Sequence, residues 1–143
     1  FIPVIKEFIE KCRKNGQFFC FETGQELPST LKRTIIDIGL DNVGINLDPA
    51  NLILYGKANP IDAVEIFGKY IRSIHGKDAL WPNRDEYLGK EVPVGDGIVN
   101  FPLLLRRLKN IGFNGPIIIE REILGEKQIQ DIKRAIEFFS KII

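Results

Sequence analysis

The chain has 143 residues, of which 44% are hydrophobic and 27% charged, and this ordinary globular composition predicts one domain over residues 1–143. The net charge of +1 gives no electrostatic footprint for nucleic acid or for an acidic membrane surface. No apolar run reaches the ~20 residues of a membrane span, and the two cysteines form neither a disulfide framework nor a CxxC site. We therefore expect a cytoplasmic protein with no nucleic-acid or membrane partner.

The chain opens on a predicted helix. Apolar residues at helical spacing extend from Phe1 to Cys12, and Gly16 closes the segment. The chain has no Met and begins directly on this helix, so we expect a preceding strand in a longer polypeptide. An apolar strand follows over residues 17–21. A second helix is then predicted over residues 27–38.

The rest of the chain continues to alternate apolar runs with amphipathic segments. The predicted elements are a strand over 43–47, a helix over 60–68, a strand over 70–74, a long polar loop over 76–100, a helix over 101–111, a strand over 116–119 and a helix over 126–143. Nearly continuous apolar strands that alternate with helices predict a parallel sheet covered by helices. The fold class is therefore α/β, with four βα units preceded by one helix. The loop exceeds the ~12–15 residues of ordinary structureless connections, which suggests a functional role for it.

Four polar residues occupy equivalent positions in these units. Glu22, Asp48, His75 and Glu120 each follow an apolar strand at its C-terminal end. In parallel α/β folds ligands bind at that edge of the sheet. Three carboxylates meeting there would repel one another unless a cation were present, so the pattern suggests a divalent metal site. The alternative is four unrelated loop residues, because strands commonly end in polar loops.

Several ordered motifs resemble the xylose isomerase-like TIM-barrel superfamily, and more specifically its sugar phosphate isomerase/epimerase members. The motifs are FETGQE (21–26), VGINLDPANLILYGKANP (43–60), HGKD (75–78), VPVGDG (92–97) and GFNGPIIIERE (112–122). The resemblance covers nearly the whole chain and implies the C-terminal half of a TIM barrel. It is much less specific for the substrate.

The resemblance also implies roles for individual residues. Ketose-epimerase-like members hold one divalent ion on Glu, Asp, His and Glu from successive strand ends, which match Glu22, Asp48, His75 and Glu120. The two glutamates also form the acid/base pair of those enzymes. Mostly oxygen ligation favours Mn²⁺ or Mg²⁺, with Co²⁺ or Zn²⁺ as alternatives. The expected activity is metal-dependent isomerisation or epimerisation, through an enediolate, of a small ketose or hydroxy-keto substrate.

The neighbouring positions depart from the epimerase pattern. Asn51 stands near the place of a second histidine, and Trp81 near the place of an arginine, with Arg84 a little beyond. Lys77 follows the metal histidine and either contacts a substrate oxygen or pairs with a carboxylate. We predict Asn51, Lys77 and Arg84 as substrate-binding residues. The departures weaken a 3-epimerase assignment without affecting the metal site.

Other functions remain open at this point. A dehydratase or lyase of the same fold, acting on an inosose-type compound, would share the enediolate step. A DNA-repair endonuclease of the superfamily, which needs many histidines and a basic face, is disfavoured because the chain has a single histidine. A half-barrel also leaves two open sheet edges, near Phe18 and Phe19 and at Ile117–Ile119. We therefore expect a homo-oligomer, and a non-catalytic fragment that assembles with another half-barrel is the remaining alternative.

Overall fold

The computed structural model describes all residues from Phe1 to Ile143. Its helices are α1 (Ile2–Lys14), α2 (Pro28–Ile38), α3 (Pro49–Leu54), α4 (Pro60–Phe67), α5 (Phe101–Asn110) and α6 (Glu126–Ser140), with a 3₁₀ turn over Gly68–Tyr70. Its strands are β1 (Phe19–Glu22), β2 (Val43–Leu47), β3 (Ile71–Gly76), β4 (Asp78–Leu80), β5 (Lys90–Val92) and β6 (Ile117–Ile119). None of the helices has the length and apolarity required to cross a bilayer.

The main sheet has four parallel strands in the order β1-β2-β3-β6, which confirms the predicted half-barrel of βα units. One face carries buried apolar residues such as Ile45, Leu47 and Ile74, and these pack into a core cluster with residues of the helices. Alternation along the strands places Glu22, Asn46, Ser73 and His75 on the opposite face, which we call the inner face. The strands β1 and β6 each have a single neighbour, so both edges of the sheet are open.

The prediction of a structureless loop over residues 76–100 was wrong in part. Strands β4 and β5 form an antiparallel pair inside it, with Asp78 opposite Val92. Each strand has only three residues, which is too short for an alternating pattern to be recognised. The short helix α3 was also not predicted. It begins immediately after Asp48, whose side-chain Oδ1 accepts a hydrogen bond of 2.9 Å from the Asn51 N–H.

A fully buried carboxylate, that of Asp78, holds this segment in place. It accepts hydrogen bonds of 2.9 to 3.2 Å from the backbone N–H groups of Ala79, Gly95, Gly97 and Val99. Burial raises the pKa of Asp78, although the four donors act in the opposite direction. A Cβ at position 97 would lie 2.1 Å from Asp78 Oδ1, so only glycine fits there. The segment is thereby tied to the end of β3.

A second polar cluster fixes the chain after β6. The Arg121 guanidinium lies 2.9 Å from Glu91 Oε1, through Nη1, and 2.8 Å from Asp131 Oδ2, through Nε. Its hydrogen bond lowers the pKa of Asp131. These pairs join β5, the segment after β6 and α6, and they hold the residue next to Glu120 in position.

Candidate metal centre

The four residues singled out at the strand ends converge at one edge of the sheet. Glu22 is the last residue of β1, Asp48 follows β2, His75 lies near the end of β3, and Glu120 follows β6. One ligand atom from each lies within 4.8 Å of the others. The expected convergence is therefore confirmed. The assignment of these residues as metal ligands and as an acid/base pair stays a prediction.

The imidazole of His75 lies among the three carboxylates. Its Nδ1 is 2.8 Å from Glu120 Oε2, 3.4 Å from Asp48 Oδ2 and 3.7 Å from Glu22 Oε1. The other ring nitrogen, Nε2, points away from the carboxylates and lies 2.7 Å from Asn46 Nδ2. Nδ1 is thus the ring atom that a cation held by the three carboxylates would contact.

The centre has a closed base and an open rim. The side chain of Asp48 is completely buried, whereas the side chains of Glu120 and Glu22 are 31% and 47% exposed. Thr23 fixes the backbone of Asp48, because its hydroxyl accepts from the Asp48 N–H and donates to the Asp48 carbonyl, each at 2.8 Å. The two glutamates are therefore the solvent-accessible carboxylates of the cluster, and Asp48 is its buried one.

The electrostatics of the centre favour bound positive charge. The pKa of Glu22 is raised, first by burial and then by Asp48 and Glu120, against the opposing effect of His75. The pKa of His75 is also raised, chiefly by its hydrogen bond to Asp48. Both groups thus hold protons more tightly than usual, Glu22 chiefly because of its burial and His75 chiefly because of its hydrogen bond to Asp48. A divalent cation would compete with protons for the same atoms.

Two of the predicted substrate-binding residues lie in the same cluster. Lys77 is 2% exposed, and its Nζ lies 3.1 Å from Glu122 Oε2, 3.5 Å from Asp48 Oδ2 and 3.6 Å from Glu120 Oε2. Burial alone would lower the pKa of Lys77, but these carboxylates outweigh it and raise the pKa. Asn51 Nδ2 donates to Glu22 Oε1 at 3.1 Å.

The third predicted substrate-binding residue, Arg84, lies in the exposed segment between β4 and β5. Its side chain forms no hydrogen bond or ion pair with the rest of the chain, and the neighbouring Trp81 is 42% exposed. The structure therefore does not bring Arg84 into the cluster. The substrate-binding roles of Asn51, Lys77 and Arg84 stay predictions.

The donor set suits a divalent cation. Glu120 Oε2 is buried but accepts no hydrogen bond of acceptable geometry, although His75 Nδ1 and Lys77 Nζ lie near it. Buried carboxylate oxygens without a donor are rare, because each carries a desolvation cost. Three carboxylates and one imidazole nitrogen directed at one point match the ligand preferences of Mg²⁺, Mn²⁺ and related ions.

Residues that sequence reasoning missed surround the four. Asn46 contacts His75 from the inner face, Ser73 contacts Asn46, and Glu122 pairs with Lys77. Asn46 and Ser73 stand two positions before Asp48 and His75, which places them on the same side of their strands. Strand alternation was the available signal for these two residues. No comparable pattern marks Glu122.

The chain belongs to the xylose isomerase-like TIM-barrel family, whose model matches residues 1–142. A solved xylose isomerase domain protein from Planctomyces limnophilus is 40% identical with a TM-score of 0.93, and the match covers 99% of this chain and 52% of that one. An uncharacterised protein of Methanocaldococcus jannaschii is 27% identical over 117 residues, which cover 81% of this chain and 36% of that protein. The chain thus spans about half the length, or less, of these relatives.

More distant solved structures share the fold. A xylose isomerase-like TIM-barrel protein from Mycobacterium smegmatis, in complex with magnesium, is 21% identical with a TM-score of 0.70, and the match covers 94% of this chain and 50% of that one. D-psicose 3-epimerase from Clostridium cellulolyticum, with D-tagatose, is 16% identical with a TM-score of 0.74; here the match covers 99% of this chain and 54% of that one. At these identities the likeness concerns the fold alone.

Proposed function

We propose that the protein holds one divalent metal ion on Glu22, Asp48, His75 and Glu120 and isomerises or epimerises a small ketose or hydroxy-keto compound. The observation that carries the proposal is the convergence of the four ligand atoms within 4.8 Å at the C-terminal edge of a parallel sheet. That edge is where TIM-barrel enzymes bind their substrates. Membership of the family supports the same assignment.

The exposure of the two glutamates suits them to proton transfer. Glu22 and Glu120 stand at the rim, whereas Asp48 is buried and fixed by Thr23. In the proposed reaction one glutamate removes the proton from the carbon next to the substrate carbonyl, which leaves an enediolate, and a carboxyl group returns a proton. Return to the neighbouring carbon isomerises the substrate, and return to the opposite face epimerises it. When bound, the ion supplies positive charge that makes this carbon–hydrogen bond more acidic.

Asn51, Lys77 and Arg84 are the proposed substrate contacts. The amide of Asn51 and the ammonium of Lys77 lie 3.4 Å apart, beside Glu22 and Glu120, so they can fix a hydroxyl or carbonyl oxygen near the rim. Arg84 would have to reach the site from its exposed segment. Mn²⁺ or Mg²⁺ is the proposed ion, with Co²⁺ or Zn²⁺ as alternatives, and the cytoplasm is the proposed location.

A substrate panel in D₂O tests this function against its alternatives. The panel contains ketoses, hydroxypyruvate and an inosose, with Mn²⁺ added, and NMR follows the carbon-bound protons. Deuterium appearing at the carbon next to the carbonyl, in an isomeric product, supports the proposal. Loss of water from the inosose would favour the dehydratase. No exchange with any substrate, despite full metal occupancy, would favour a non-catalytic module.

The open edges of the sheet support a second proposal, that the chain associates with another copy of itself. Phe18 beside β1 is 56% exposed and Ile118 in β6 is 48% exposed, and neither strand is paired on its outer side. Unprotected edges of this kind promote pairing with further strands. Light scattering on the purified 143-residue chain should show a dimer or larger species. A stable monomer with full isomerase activity would contradict the proposal.

A further inference from the structure

A short polar relay lies on the inner face behind the metal centre. The Ser73 hydroxyl lies 2.7 Å from Asn46 Oδ1, and Asn46 Nδ2 lies 2.7 Å from His75 Nε2. The side chains of all three residues are partly buried. Asn46 is the only hydrogen-bond partner of His75 Nε2, the ring nitrogen that faces away from the carboxylates. The orientation of the Asn46 amide therefore decides whether Nε2 finds a donor or an acceptor.

An irregularity in the sheet creates this relay. Ile45 of β2 pairs with Ile71 of β3, but the next residue, Asn46, pairs with Ser73, so Arg72 is passed over. Such a bulge adds one residue to one strand and re-aims the side chains beyond it. Here it aligns Asn46 with Ser73 and brings the Asn46 amide within reach of His75. Without the bulge, Asn46 would stand opposite Arg72.

The chemistry of metal ligation fixes what Asn46 must do. Imidazole Nδ1 can bind a cation only through its lone pair, so the ring proton must then reside on Nε2. An Nε2–H needs an acceptor, and Asn46 can supply one when its amide oxygen faces the ring. The oxygen and nitrogen of an amide exchange places on a 180° rotation, and the Ser73 hydroxyl can donate to the oxygen or accept from the nitrogen. The relay therefore remains satisfied in either orientation.

We propose that Asn46 is the positioning residue of the metal centre: in the metal-loaded protein its Oδ1 accepts from His75 Nε2–H while its Nδ2 donates to Ser73. The relay thereby keeps Nδ1 directed at the site and holds the ring in the tautomer that binds metal. This inference rests on the proposed metal site. Outer partners of metal-bound histidines commonly contribute about 10–100-fold to metal affinity.

Metal affinity in the intact protein tests the inference without depending on turnover. Calorimetric titration with Mn²⁺ compares the wild type with Asn46→Leu, Ser73→Ala, the double variant and Asn46→Asp. We expect Asn46→Leu to raise the Kd about 10–100-fold. We expect Ser73→Ala to raise it less, and to have no further effect in the Asn46→Leu background, because Ser73 acts through Asn46. Asn46→Asp keeps an acceptor and should bind at least as tightly as the wild type.

A second readout reports on the ring itself. His75 is the single histidine of the chain, and its ¹⁵N signals are assigned by their loss in His75→Gln. In the Zn²⁺-loaded wild type we expect the ring proton on Nε2.

The matched control for Asn46→Leu is Asn83→Leu, at an exposed position that makes no side-chain contact with the site. Melting curves in chelator show whether each variant folds, and Ser73→Ala, which removes one oxygen, keeps the test available if Asn46→Leu does not fold.

The outcomes separate the positioning role of Asn46 from the proposed metal site itself. Unchanged Mn²⁺ affinity in folded Asn46→Leu, or an additive effect of Ser73→Ala in that background, would overturn the positioning role and leave the metal site standing. A Zn²⁺-loaded ring with its proton on Nδ1 would overturn ligation by His75 Nδ1 and the positioning role together, because a protonated ring nitrogen has no lone pair for a cation. A wild type that binds no divalent ion would overturn the metal site and this inference together.

Discussion

For the proposed activity of the intact protein, replacing Glu120 by Gln should lower kcat by about 10²–10⁴, because proton transfer by a positioned side chain contributes that much to catalysis. The amide keeps the size of the side chain but can neither accept the substrate proton nor return it. Glu120 stands at the rim of the cluster, with Oε2 2.8 Å from His75 Nδ1. Steady-state kinetics at saturating metal measure the effect.

The control for this experiment is Glu86→Gln. Glu86 carries the same charge in the exposed segment between β4 and β5 and makes no side-chain contact. Metal occupancy is measured for both variants, since Glu120 is also a proposed ligand. Wild-type turnover by fully loaded Glu120→Gln would rule Glu120 out as the acid/base.

Replacing Asp78 by Asn should reduce the free energy of unfolding by about 3 kcal/mol or more, because an unsatisfied buried donor costs about 1–3 kcal/mol and several are affected. The Asp78 carboxylate accepts from four backbone N–H groups with no exposure to solvent. Each carboxylate oxygen of Asp78 accepts from two of these N–H groups. In asparagine an NH₂ group replaces one oxygen, so two backbone N–H groups would face a donor and lose their acceptor. Urea denaturation monitored by circular dichroism gives the value.

The comparison variant is Asp85→Asn, which makes the same substitution in the exposed part of the same segment. It should change stability by less than about 0.5 kcal/mol. If the two variants proved equally stable, the four backbone contacts to Asp78 would not hold the segment. Because Lys77 immediately precedes Asp78 and His75 lies three residues before it, the loss of this anchor should also weaken metal binding.

The convergence of the four residues of the candidate metal centre was predictable because it depends on topology. In a parallel sheet all strands end at the same edge, so polar residues that follow successive apolar runs must meet there. The strands that end at or just before Glu22, Asp48 and Glu120 are short, mostly apolar segments, and β3, which carries His75, has apolar residues at Ile71 and Ile74. The type of residue at each strand end then indicated the kind of ligand.

The remaining features depend on interactions that a linear pattern does not contain. Asp78 of β4 accepts hydrogen bonds from backbone groups as far along the chain as Val99, and the residues between them give no sign of this. The bulge in β3 shifts Asn46 into register with Ser73, and no residue type in β3 predicts that bulge. The burial of Lys77 is accompanied by three carboxylates from two separate segments, one after β2 and one after β6. Arg84, conversely, was placed near the site by the resemblance to the epimerase pattern, which has an arginine shortly after the metal histidine.

Calorimetric titration with Mn²⁺ tests the metal centre most directly. The wild type should bind one ion per chain, and at a free concentration of 100 times the Kd the ion should stabilise the fold by about 2.7 kcal/mol. Asp48→Asn should abolish binding and leave the fold intact, because asparagine also caps α3 well. Asp37→Asn, on the exposed side of α2, should bind as the wild type does. If the wild type bound no ion, or if Asp48→Asn bound it equally well, the four converging side chains would not form a metal centre.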